Sequence, residues 1–543
     1  MNVVQEFRYL APSTAGAGGV ALQTSGGPEA NPRFFAGYLT TPPAAAAGLL
    51  AVADVARTRY HQPRDPASLD PVVTGSADRL RFESFSGCCG VYARLDILPP
   101  GLDGELLGHG TTNVDVNPPL REALARIAGL DPLHLSVGPD ALTAKTLDGT
   151  VVEKKVPLPA RWLRGFAEVH VLSAGFDLRA ELPATEAAAF LRRLPGASDR
   201  STLWAVPSGR TLRLTSRPVP GAVCLAGAGR LAALRPLLRQ STSLRIYGPP
   251  LATGSPPVAS AWELQTEALR LTLTLSPEVH RGFSGEGAAL TSLASDEVTD
   301  DAELVGALLS WDPTIDVAAL ADAAGLEPPR VRAALAQLGT AGRVGYDVTE
   351  AAYFHRAMPY DAARAERDNP RLTSARALAE SGAVTLDAAV PAGSAMPPGS
   401  AVPPGSAVPP GSAVTPGRAM PLGGTVAQDG PVTPGGAAPP GGAVTPGGAV
   451  TPGGAVTPGG AVTPGGTVPP GGTVTQDGAV TPGGAMPLGG ATSATVRSGD
   501  ETYRVRLLPD GTTTCTCPWW GKHRGHRGPC KHALAFTIAQ AST

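Results

Sequence analysis

Near its end the chain carries two short cysteine motifs: Cys515 and Cys517 form C-x-C, and Cys530 and His532 form C-x-H. Four soft or borderline donors match what Zn²⁺ takes in a tetrahedral site. On an extended strand the two thiols of C-x-C fall on one side, because side chains alternate with period two. The spacer from Pro518 to Pro529 is long enough to bring Cys530 and His532 back to that side. A C-x-C pair does not easily bridge to itself as a disulfide. The start MNVVQEFRYL lacks a charged segment followed by an apolar one, so a reducing cytoplasm is expected, where such thiols are more often metal ligands or catalytic groups. Four protein ligands leave no open position for water, so the expected role of the zinc is structural.

The flanking sequence suits this reading. Tyr503-Arg504-Val505-Arg506-Leu507 alternates apolar and basic, the pattern of a half-buried strand. Pro509-Asp510-Gly511 signals a turn, and the β-branched TTTCTC after it a second strand. KHALAFTIAQA then predicts a short helix with Leu534 and Ile538 on one face. Strand, turn, strand with C-x-C, loop, and helix opening with C-x-H together resemble the SWIM zinc finger over roughly residues 494–541. The resemblance implies a ββα frame, Zn²⁺ as the metal, and Cys515, Cys517, Cys530 and His532 as its ligands. His523 and His526 are rival donors that the family pattern ranks lower.

Around the spacer, Lys522, Arg524, Arg527 and Lys531 cluster beside Trp519 and Trp520, with no carboxylate side chain after Asp510. Cations next to aromatic faces suit phosphate contacts with base stacking, and equally an acidic or phosphorylated protein partner. A tryptophan plugging the small core while the cations stay solvated is the plainer alternative. SWIM fingers are linked to both DNA and protein binding, so the resemblance leaves both open.

The whole chain of 543 residues carries a formal charge of only −2, so any basic surface must be local. Few lysines and abundant Ala, Gly, Pro and Arg suggest a high-GC bacterial genome. No apolar run reaches membrane-spanning length, and a cytoplasmic protein making no membrane contact is expected. The expected class is α+β multidomain. Residues 1–295 form an α+β domain of one or two subdomains, and 296–358 a winged helix-turn-helix-like module. A helical connector covers 359–387, a disordered Pro/Gly/Val-rich repeat 388–491, and the finger 492–543. Cys88, Cys89 and Cys224 lack a second ligand pair and read as small buried apolar residues.

The repeat, written SAVPPG, GAVTPG or GTVPPG, lacks the glycine at every third position that collagen needs. It has too little apolar surface to build a core, and as a flexible coil of about 100 residues it spans on the order of 55 Å. Strand-like GAVTL (382–386) and ATVRSGD (494–500) flank it, so it reads as an expanded hairpin loop at the edge of the finger.

In the module, Asp300 with Glu303 signals a helix start, while Asp316 and Gly325 bracket a second helix. Pro328-Pro329 opens a third with Val331, Leu335 and Leu338 as its stripe, and RVGYDV and AAYFHRAM supply wing strands. In a DNA reader that third helix presents Arg330, Ala334 and Gln337 to the groove, a face thin in base-reading groups. In the N-terminal region, LRFESFSG, VYARLDIL, FAEVHVLSAGFDLRAEL, TLRLTSRPV and ALRLTLTLS read as strands. PLREALARIAGL, ATEAAAFLRRL and GRLAALRPLLRQ read as helices, and a mixed sheet is expected.

Two enzyme-like patterns are weak. Gly227-x-Gly229-x-x-Ala232 matches a phosphate-cradling turn but lacks the acidic residue about 20 positions on. Asn113, Asp115 and Asn117 resemble a calcium loop but lack its glycine and closing glutamate. Nucleophile-elbow, Walker and HExxH motifs are absent, and a non-catalytic chain is expected. The layout is similar to bacterial SWIM-finger proteins found beside MoxR-type ATPases and von Willebrand A-domain proteins. That resemblance implies an adaptor or substrate selector docking proteins as the alternative to nucleic-acid binding.

Overall fold

The computed structural model describes residues 14–16, 19–21, 33–61, 71–76, 78–158, 160–196, 199–283, 287, 290, 296–309, 313–340, 342–356, 370–387, 493–508 and 511–542. The hexapeptide repeat at 388–491 and the turn residues Pro509 and Asp510 lie outside them. No described helix is long and apolar enough to cross a membrane.

The N-terminal body is built on two large sheets. One runs Gly149–Lys154, Ala141–Thr146, His134–Val137, Phe35–Leu39, Leu102–Leu106. The other runs Asp177–Pro183, Ser243–Gly248, Ser260–Gln265, Leu269–Leu275, Val91–Ile97, Leu80–Phe85, Val72–Gly75, Gly110–Asn113. Every pairing in both is antiparallel, not mixed. Tight hairpins such as Thr146↔Gly149 reverse the chain directly, where parallel pairing would need long crossovers. Helices α1 (Pro42–Arg57) and α2 (Pro118–Arg126) and the 3₁₀ helix Ala228–Leu237 share one apolar cluster with the inner faces of both sheets.

FAEVHVLS is not a strand. It belongs to α3 (Ala160–Ser173), and Asp177–Pro183 is the strand that follows. Trp162, Phe166 and Val169 recur at helical spacing and pack on Phe85, Tyr92 and Tyr247. Helix α4 (Ala184–Arg193) forms where ATEAAAFLRRL predicts it.

The alternation of LRFESF and VYARLDI implies one solvated face, yet all their residues are buried. The charged face carries Arg81, Glu83, Arg94 and Asp96, joined by Glu263 and Arg270 from neighbouring strands. A second layer covers it: α3 and the hairpin Val344–Asp347/Ala352–His355. Asp347 of that hairpin meets Arg270 at 2.9 Å, Arg94 at 3.0 Å and Arg81 at 3.4 Å. Arg356 meets Glu83 at 2.6 Å, and the Nδ1 of buried His170 accepts the Tyr346 N–H. Burial alone would raise the Asp347 pKa, but Arg94, Arg270 and Arg81 together hold its carboxyl well below the usual range.

The hairpin closes a module with α5 (Asp296–Leu308), α6 (Val317–Ala324) and α7 (Pro328–Thr340). Asp316 Oδ1 caps α6 by accepting the Ala318 and Ala319 N–H groups, and Gly325 ends it at φ 65°. Asp300 lies inside α5 and does not start it. The face expected to read a groove is largely engaged: Arg330, though exposed, pairs with Asp301 at 2.7 Å, Ala334 is buried, and buried Gln337 donates its Nε2–H to Thr299 at 2.8 Å. Packing against α5 buries Ala334 and Gln337 and neutralises Arg330 with Asp301.

In the finger, the strands run Val384–Leu386, Ser493–Ser498, Glu501–Leu507, Thr513–Cys515, all antiparallel. The first precedes the repeat in sequence and pairs Val384↔Val496, Thr385↔Thr495 and Leu386↔Ala494. Helix α8 (Pro370–Glu380) also precedes the repeat, and its Leu372 and Ala375 share a core with Leu534, Ala535 and Ile538. Residues on both sides of the repeat thus build one folded unit.

Candidate metal centre

The metal centre forms where three elements meet. Cys515 ends the strand Thr513–Cys515. Cys517 is the N-cap of α9 (Pro518–His523), a turn of helix within what the sequence presents as a loop, and Cys530 is the N-cap of α10 (Lys531–Ala541). The sulfur of Cys517 accepts the Trp520 N–H, and that of Cys530 the Ala533 N–H, both at 3.4 Å. A thiolate gains doubly there: from those N–H groups and from the positive end of the helix. His532 opens α10 two residues on, its ring stacked on Tyr503 with centroids 4.3 Å apart.

The four donor atoms lie within 4.8 Å of one another, and all four residues are buried. His532 Nδ1 stands 3.8 Å from Cys515 Sγ. A tetrahedron with bonds of about 2.3 Å has edges of roughly 3.8 Å, so the cluster is of the right size. Without a cation the three sulfurs compete for charge. Hydrogen bonding from Cys515, reinforced by His532 and the Ala533 N–H, holds the Cys530 thiol down at about 4. The same contact, with burial, drives Cys515 far up, and burial raises Cys517. A divalent ion removes that conflict by stabilising all three thiolates together. The donor set, its size and its burial fit Zn²⁺. Among the described residues, no other group of three or more such side chains converges in this way.

His523 and His526 stay outside the cluster; His523 instead packs its ring 4.4 Å from that of Trp519. Trp519 and Trp520 are partly buried against the finger core. The Arg371 guanidinium of α8 lies over the Trp519 ring at 4.7 Å and donates to the carbonyl oxygens of Arg527 at 2.7 Å and Pro529 at 3.0 Å. This clasp joins α8 to the spacer. Nothing in the spacer pointed to Arg371, because its partners there are backbone carbonyls. Lys522 and Arg524 are exposed, and Arg527 and Lys531 partly so.

The glycine-rich turn holds no phosphate cradle. Gly227 sits at φ 64°, and a Cβ there would fall 2.4 Å from Val279 Cγ2, so packing explains the glycine. A 3₁₀ helix follows, with Arg230 buried and bonded to Ala226, Gly90 and Ser276. Asn113 donates to the Val156 carbonyl and Asn117 to Glu153, so the calcium-like spacing serves strand contacts.

The model of the SWIM zinc finger family matches residues 503–538. No curated protein matches the chain. Among solved structures, the chain is similar to the proliferating cellular nuclear antigen of Entamoeba histolytica at 11% identity and a TM-score of 0.30, covering 45% of this chain and 99% of that one. It is also similar to the PCNA2-PCNA3 complex of Sulfolobus tokodaii at 8% identity and a TM-score of 0.32, covering 45% and 100%.

Proposed function

We propose, from the premise that residues 503–538 form a SWIM-type zinc finger, that the chain is a zinc-organised, non-catalytic protein that binds nucleic acid through its finger. The observation that carries this is charge placement. Residues 493–543 hold seven basic and three acidic side chains on a chain whose total is −2. After Asp510 there is no carboxylate side chain, and Lys522 and Arg524 stand exposed on the spacer. Such a basic island draws phosphate locally while the rest of the molecule stays indifferent.

The order of three helices and a hairpin in 296–356 supports a winged-helix type of module. Its hairpin and third helix are used in docking to the body and to α5, which favours a docking unit over a groove reader.

The test is binding of the full chain to duplex and single-stranded oligonucleotides across a salt series. Contacts from Lys522, Arg524, Arg527 and Lys531 predict a log–log slope of about −3 to −4 for duplex. No salt-sensitive binding at low ionic strength would reject this reading in favour of the adaptor, with a MoxR-type ATPase or von Willebrand A-domain protein as partner.

A further inference from the structure

The finger sheet has a second face, away from the zinc. Ala494, Val496, Val505 and Cys515 point inward and are buried. The intervening positions point out: Arg497, Arg504 and Arg506 are exposed, set among Thr385, Ser493, Thr495, Thr502 and Thr514. The register arranges these side chains. Arg504 lies opposite Thr495, Arg506 opposite Ser493 and Thr514, and Arg497 opposite Thr502.

Arg504 and Arg506 are therefore about 7 Å apart along one strand. Arg497 is diagonal to Arg504 on the next, at roughly 7–8 Å. The three arginine positions form a row whose spacing along the sheet is comparable to that of neighbouring phosphates along one nucleic-acid strand. Among the described residues, Arg497 and Arg506 form no ion pair, and Arg504 meets only Asp387, at 3.6 Å. Glu501 at the hairpin end is engaged by the Tyr503 hydroxyl.

We infer that this face is a phosphate-binding platform for the backbone of a single nucleic-acid strand, separate from the spacer cations. The arginines supply charge and forked donors, and the surrounding hydroxyls supply neutral donors to phosphate and sugar oxygens. No aromatic ring lies among these outward positions, so the platform reads backbone and not bases, and its binding is independent of sequence. The inference rests on the nucleic-acid reading above and places a contact surface within it.

The experiment compares three versions of the full chain on a single-stranded oligonucleotide across a salt series, with zinc content measured for each. They are wild type, a sheet variant (Arg497→Gln, Arg504→Gln, Arg506→Gln) and a spacer variant (Lys522→Ala, Arg524→Ala). A lysine version of the sheet variant keeps the charge and controls for folding. Loss of three phosphate contacts lowers the slope by about 2 in the glutamine variant, while the lysine version retains it. Wild-type affinity and slope in the glutamine variant, with binding lost in the spacer variant, overturns the platform and leaves the proposed function standing. Absence of salt-sensitive binding by wild type, or binding of poly-glutamate in place of the oligonucleotide, overturns both.

Discussion

In the body, Arg81, Arg94 and Arg270 stand on one face of an antiparallel sheet. In the finger, Arg497, Arg504 and Arg506 do the same, and the strands that carry them read alike in sequence. The body arginines are buried and neutralised by Asp96, Asp347 and Glu350. The finger arginines are exposed and almost unopposed. Alternation therefore shows which side chains share a face, and only the partner layer decides whether that face becomes an ion-paired interface or a surface open to ligands. In the body that layer arrives from residues 344–356, far along the chain. In the finger no described element covers the outward face.

The largest effect that sharpens this contrast is at the metal. Cys515→Ala or Cys530→Ala removes a ligand from a site whose zinc supplies folding energy on the order of 10–16 kcal/mol. Zinc measured by elemental analysis falls from one per chain to none, and proteolysis opens the finger while the body resists. The next is Asp347→Ala, which leaves three buried guanidiniums short of a counter-charge. It costs about 3–5 kcal/mol in denaturant unfolding followed through the body tryptophans. Removing the partly buried Asp387, whose partners lie in the finger, changes that unfolding by no more than a few tenths of a kcal/mol.

Acid acts on the body through histidines. Burial, with Arg356, Arg94 and Arg81 nearby, lowers the His170 pKa well below its usual value, and burial with Arg343 brings His355 to about 3. Both are neutral in the fold, so their contribution is complete above the unfolded pKa of about 6.5 and declines as pH falls below it. At pH 5.5 His355 costs about 1.3 kcal/mol relative to neutral pH, and His170 acts in the same direction. Urea midpoints at the two pH values check this, and His355→Gln flattens the slope.

One effect of opposite sign concerns the repeat. Replacing 388–492 with a turn of about six residues shortens the connection between two paired strands, which stabilises the finger by about 2.5 kcal/mol. Zinc content stays at one per chain. Loss of metal in that deletion would mean the pairing of 384–386 with 494–496 depends on the repeat itself.

The ligand set was fully legible in the sequence, since four donors at fixed spacing leave little freedom. So was α10, and so was the possibility that the strands flanking the repeat pair. Other features were hidden for physical reasons. FAEVHVLS alternates like a strand, but Trp162, Phe166 and Val169 also satisfy a helical period, and burial on nearly every side erases the difference. The alanine-rich α1 carries no polar face to mark it. Arg330 and Gln337 looked outward by composition, yet Asp301 and Thr299 on another helix satisfy them. Arg371 clasps backbone oxygens, which leave no trace in side-chain pattern.

Hydrogen–deuterium exchange on zinc-loaded and chelator-stripped protein tests most directly whether one ion orders a unit drawn from both sides of the repeat. Stripping is predicted to abolish protection in 493–542 and in 370–387 together, with 71–283 unchanged. Full protection of both segments in metal-free protein, or loss in 493–542 with 370–387 intact, would contradict it.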